Sequence, residues 1–169
     1  MQPYQRNPSA GAVEHVRRES SVGRGRLRGF DAARLRDARR AANLTLEVLA
    51  ARADVSQAAI GAWELGSNAP EPQWIASVCR VLGITIRSLV NLAEEEAELR
   101  DFRSWRGLSQ RQVASALGIS DTLLGKIERH VRRPYPEQLD ELAELYQVDT
   151  EMLAASWERG HNAMLHGTD

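Results

Sequence analysis

The chain has 169 residues, a formal net charge of −1 and 5% aromatic residues, which suits one ordinary domain or two small ones with aliphatic helical packing and argues against a β-sandwich core. Its one cysteine, Cys79, excludes an intrachain disulfide and fits a reducing compartment. No apolar run approaches the ~20 residues of a membrane span, and the polar N-terminus lacks a signal-peptide core, so a cytoplasmic, nucleoid-associated protein without membrane partners is expected.

Residues 1–28 carry Gly, Pro, Ser and Arg without an apolar period and are predicted to be a disordered basic arm. Within it Gly23-Arg24-Gly25-Arg26 resembles the core of an AT-hook without its flanking prolines. That makes Arg24, Arg26 and Arg28 candidates for minor-groove contact, with a merely solubilising tail as the alternative. A helical period begins at Asp31 and defines a first domain over 29–92. Thr45 and Ser56 are placed to cap its second and third helices, and Gly66 to stop the third. Residues 91–98 hold no Gly or Pro, so the linker is expected to be short and is permitted to be helical, which would couple its flanks rigidly. A second domain over 93–157 follows. Its helices are predicted at 98–106, 110–117 capped by Ser109, 121–129 capped by Ser120, and 137–146 after Pro134 and Pro136. Asp149 then caps a short last helix, and 158–169 form a C-terminal tail. No useful strand-like alternation occurs, so the fold class is all-α.

The most informative feature is an ungapped internal repeat. Leu35, Arg36, Asp37 and Arg39 correspond to Leu99, Arg100, Asp101 and Arg103. In the same register Leu44 meets Leu108, Ser56 meets Ser120, Gly61 meets Gly125, Glu64 meets Glu128, Pro70 meets Pro134 and Leu89 meets Leu153.

The stretch Leu-Ser-Gln-Arg-Gln-Val-Ala-Ser-Ala-Leu-Gly-Ile-Ser-Asp-Thr-Leu-Leu-Gly-Lys-Ile-Glu-Arg (108–129) resembles the helix-turn-helix of the phage Cro/C1-type (XRE) repressor family. Leu44–Gly66 is similar, with Leu46, Asp54 and Trp63 replacing the family's usual Gln, Gly and aliphatic residue. The resemblance covers most of the chain and implies two tandem five-helix, lambda-repressor-like domains binding double-stranded DNA. A capped helix can project its N-terminal side chains into the major groove, which assigns base reading to Gln57, Ala58 and Ala62 in the first unit and to Asp121, Thr122 and Lys126 in the second. Gly61 and Gly125 would permit close approach. Phosphate contact is expected from Ser56, Ser67 and Asn68 in the first unit and from Ser120 in the second. The resemblance carries the same role to Gln110 and to Arg129, Arg132 and Arg133 after the third helix. It also implies two structural ion pairs, Arg39 with Glu64 and Arg103 with Glu128.

The expected function is therefore a transcriptional regulator, most simply a repressor, reading two unlike subsites as a DNA-bound monomer or a homodimer. A second class stays open: a protein-interaction module or antirepressor with a protein partner. The Ala-rich third helix of the first unit and the acidic fourth helix of the second (Glu137, Asp140, Glu141, Glu144) permit it. No nucleophile–base set, phosphate loop or metal-ligand spacing appears, so neither an enzyme nor a cofactor or metal is expected. Cys79, Trp63 and Trp105 read as core, Trp74 as an inter-unit or dimer contact, and Trp157 as packing for the final helix or a dimer interface.

Overall fold

A computed structural model describes residues 25–167. Among them nine α-helices form: α1 Ala32–Ala41, α2 Leu46–Ala53, α3 Gln57–Glu64, α4 Pro72–Leu82, α5 Leu99–Trp105, α6 Gln110–Ala116, α7 Asp121–Glu128, α8 Pro136–Tyr146 and α9 Thr150–His166. A 3-10 helix at Ile86–Leu89 completes the first five-element unit. The only extended pairing among the described residues is a single antiparallel bridge between Phe30 and Val90.

Five of these helices start at short polar side chains that accept otherwise unpaired amides, whereas Asp149, expected to cap the last helix, makes no such bond. Asp31 accepts from Ala33 and Arg34, Thr45 from Val48, Ser56 from Ala59, Ser109 from Gln112 and Ser120 from Leu123. The stops obey the repeat. Four left-handed residues punctuate each unit at equivalent positions: Asn43 and Gly107, Asp54 and Gly118, Gly66 and His130, Gly83 and Gln147. Each pair holds one glycine and one residue for which this conformation is less favourable. Buried positions coincide as well. Leu35 and Leu99, Ile60 and Leu124, Val78 and Leu142, and Leu89 and Leu153 are all sealed from solvent. Cys79 lies in the same core, and burial pushes its thiol up to about 12.

Three expectations are corrected. The arm does not stay free through residue 28: Leu27 is buried in the core, and its amide donates to the Pro70 carbonyl at 2.9 Å. The linker is not a helix. It contains one 3-10 turn, Glu94–Glu96, between the extended residues Ala93 and Ala97. The last helix is not short, because α9 runs for 17 residues and absorbs 158–166 of the expected tail. Its extension is held by Trp157, whose indole N–H donates to the Ile127 carbonyl, and by His161, which stacks on Trp157 and faces the His130 carbonyl at 2.9 Å. Trp105, expected in the core, also carries a contact between the units, under Arg87, while Trp74 is 45% exposed and Trp157 is buried.

Candidate nucleic-acid interface

The α2–turn–α3 and α6–turn–α7 segments present the candidate groove residues. Gln57 and Ala58 lie exposed at the start of α3 and Ala62 is half-buried one turn on, while Asp121, Thr122 and Lys126 are all exposed on α7. The spacing therefore places each set on the open side of its helix. Ser56 and Ser120 spend their hydroxyls as caps but remain exposed. Ser67 is exposed, whereas Asn68 is half-buried with its amide oxygen shielded and unpartnered.

Each of these helices is tied to the first helix of its unit by a forked ion pair. Arg39 donates from Nε and Nη2 to the two carboxylate oxygens of Glu64 at 2.7 and 2.8 Å, and from Nη1 to the Leu44 carbonyl. That bidentate geometry raises the Arg39 pKa. Arg103 repeats the arrangement on Glu128 at 2.5 and 3.2 Å, with Nη1 on the Leu108 carbonyl. The second fork is less even for a reason visible in the sequence. Gln110, where the first unit has Leu46, donates to the same Glu128 oxygen at 3.0 Å. Gln110 thus turns inward in the free protein.

The two glycines of the motif differ too. A Cβ on Gly61 would meet nothing within 4 Å, but on Gly125 it would lie 3.0 Å from Arg129 and 3.2 Å from Gln110. Gly125 makes room for those two side chains to fold across α7. Arg132 stacks over Tyr135 and donates to its hydroxyl at 2.7 Å. Arg133 pairs with Glu158 and lies over Trp157. Its anchor, Glu158, comes from the part of α9 that was expected to be tail.

The minor-groove set is divided. Arg24, with Gly23, falls outside the described residues. Arg26 is exposed. Arg28 is corrected: its guanidinium bridges Glu98 at 3.0 Å, Asp101 at 3.1 Å and the Glu96 carbonyl at 2.6 Å, so it is engaged within the chain. His130 also faces this cluster, with Nε2 at 3.9 Å from Glu98. His130, helped by the Arg100 and Arg28 charges, holds the Glu98 carboxyl down to about 2 against the cost of its burial. Burial pushes neighbouring Asp101 the other way.

The described residues hold no cluster of three or more His, Cys, Asp or Glu fit for a metal, and no helix long and apolar enough to cross a membrane. The exposed acids of α8 (Glu137, Asp140, Glu141, Glu144) sit on a different helix from the cations around α7. The helix-turn-helix domain family matches the chain twice, over residues 32–92 and 97–155. An uncharacterized HTH-type transcriptional regulator, YazB of Bacillus subtilis (strain 168), is 38% identical over 56 residues, which are 33% of this chain and 81% of that relative. No solved structure matches the chain.

Proposed function

Because the chain belongs to the helix-turn-helix domain family, in two tandem copies of the Cro/C1 type, we propose that it is a sequence-specific double-stranded DNA-binding regulator, a repressor that occludes a promoter by reading two unlike subsites. One observation carries this reading: the same braced scaffold occurs twice, with different side chains on the open side of α3 and α7. Gln57 matches an adenine edge, and Ala58 and Ala62 can touch thymine methyls. Lys126 can donate to guanine, and Asp121 can accept from cytosine. Thr122 completes the second set. Arg129, Arg132 and Arg133, with Gln110 and Ser120, form the phosphate-facing rim of the second unit; Ser56, Ser67 and Asn68 form a weaker one in the first. Arg133 exchanges Glu158 for phosphate, and Gln110 exchanges Glu128. The domain division at 29–92 and 93–157 belongs to the same proposal. Regulation of this kind needs no catalytic group or cofactor in the chain.

Selection of bound duplexes from a random pool tests the reading. A defined sequence should be enriched, with affinity falling steeply as salt rises. Enrichment of no sequence refutes it. A docking role for the first unit is the second reading. It is favoured by the alanines of α3 and by Leu65 just beyond it, which is 79% exposed; in that case only one subsite would be selected.

A further inference from the structure

Two helix-turn-helix units on one chain can be loosely tethered or locked, and the difference decides what DNA they recognise. The contacts here form a continuous seam. Gly107, after α5, sits so close to α4 that a Cβ added to it would lie 2.7 Å from the Ala76 methyl and 3.3 Å from Ile86. Its φ of +69° bars most other residues as well. Arg87, on the 3-10 helix of the first unit, lays its guanidinium 4.5 Å above the ring of Trp105. Arg28, ahead of α1, reaches across to Glu98 and Asp101 at the start of α5.

The linker is fastened at both ends. On the first unit the Asn91 amide donates to the Gly29 carbonyl at 2.8 Å, beside the Phe30–Val90 bridge. On the second, Ala97 is buried, and its carbonyl accepts from the Ser156 hydroxyl at 2.6 Å and from Arg159 at 3.3 Å. Between them, Glu94 pairs with Arg87. A cleft of about 460 Å³ runs along the seam, lined by Glu71, Pro72 and Gln73 of the first unit and by Gln110, Gly125 and Arg129 of the second. The start of α4 thus borders the side of the second unit that reads DNA.

We propose that this seam is a spacing gauge: it holds α3 and α7 in one relative placement, so that one chain recognises two subsites only at one separation on the duplex. The inference rests on the DNA-reading role proposed above. A rigid link supplies its full effective concentration at a single geometry and loses it elsewhere. Each inserted base pair moves one subsite by about 3.4 Å and turns it by about 34° around the helix, which a locked pair cannot follow.

The test uses the full chain and the duplex recovered by selection, with the DNA between the two subsites lengthened or shortened by one to three base pairs. The wild type is expected to lose affinity by at least about tenfold at each altered spacing. Ala76→Arg, which wedges the seam open, and Arg87→Ala, a gentler loosening at a half-buried contact, are expected to flatten that profile toward a uniform, weaker affinity. Should the wedge unfold the chain by circular dichroism, Arg87→Ala carries the comparison. Calorimetry of the free protein gives a DNA-independent readout: one cooperative transition for the wild type, lower or split in Arg87→Ala. A flat wild-type spacing profile, a single recovered subsite, a profile unchanged by Arg87→Ala, or two separate wild-type transitions each overturns the gauge. Failure to select any sequence overturns the DNA-reading role itself, so the two failures are distinguishable.

Discussion

Replacing Gly160 by alanine pits a general rule against one local contact. Gly160 lies within α9, where alanine should be better by about 1 kcal/mol. The added Cβ, however, would fall 2.2 Å from Cε1 and Nε2 of His130 and 2.6 Å from Cδ2. Carbon atoms in ordinary contact stand about 3.5–4.0 Å apart, so the imidazole must retreat by more than 1 Å. It has little room. His130 is 7% exposed, faces Trp157 at 6.2 Å between ring centroids, and sits in a left-handed backbone conformation that closes α7. Overpacking of this kind costs about 1–3 kcal/mol. The net expectation is a loss of about 1 kcal/mol, or a melting temperature lower by about 2–4 °C. In a His130→Gly background the obstacle is gone, and the same change should stabilise by up to about 1 kcal/mol, giving a coupling of about 1–3 kcal/mol in urea denaturation. Stabilisation of the wild type by Gly160→Ala, or an equal effect in both backgrounds, refutes the reasoning.

Other consequences can be read off in the same way. Glu128→Ala strands the Arg103 guanidinium and removes the acceptor of Gln110; denaturation should show a loss of about 3–5 kcal/mol, and an effect below about 1 kcal/mol would mean the pair is not structural. Glu98 has a depressed folded pKa, so its contribution is present above the ordinary carboxylate range and is lost as pH falls from about 5 toward 2. Glu98→Gln should therefore be less stable than the wild type by about 1–3 kcal/mol at pH 7 and converge with it near pH 2; a gap that widens with acid would reverse the sign. Arg132→Ala should weaken binding to all duplexes alike and reduce the salt slope by about 1, and a changed sequence preference would show that it reads bases.

The repeat made the helices and their caps legible, because apolar period and capping hydroxyls act locally. It also held information that reading each copy alone does not yield. Asn43, Asp54, His130 and Gln147 are each left-handed where the other copy has glycine: Gly107, Gly118, Gly66 and Gly83. Comparing copies position by position would have located all four. The α9 extension was hidden for a different reason. Residues 158–166 have little apolar period, and their order comes from tertiary partners: Arg133 for Glu158, His130 for Gly160 and Trp157 for His161. Arg28 escaped likewise, since nothing local tells an arginine aimed at DNA from one aimed at Asp101. In the candidate interface, the exposure of Gln57, Thr122 and Lys126 followed from helical spacing after a cap. The inward turn of Gln110 did not, because it depends on a carboxylate shared with a helix 18 residues away.

The measurement closest to the central claim compares the sequences selected by three proteins: wild type, Gln57→Ala and Lys126→Ala. If two helices read two unlike subsites, the wild type recovers both. Gln57→Ala relaxes one base position in one subsite and Lys126→Ala one position in the other, each costing about 1–3 kcal/mol there. Relaxation of the same subsite by both changes, or of neither, contradicts the account.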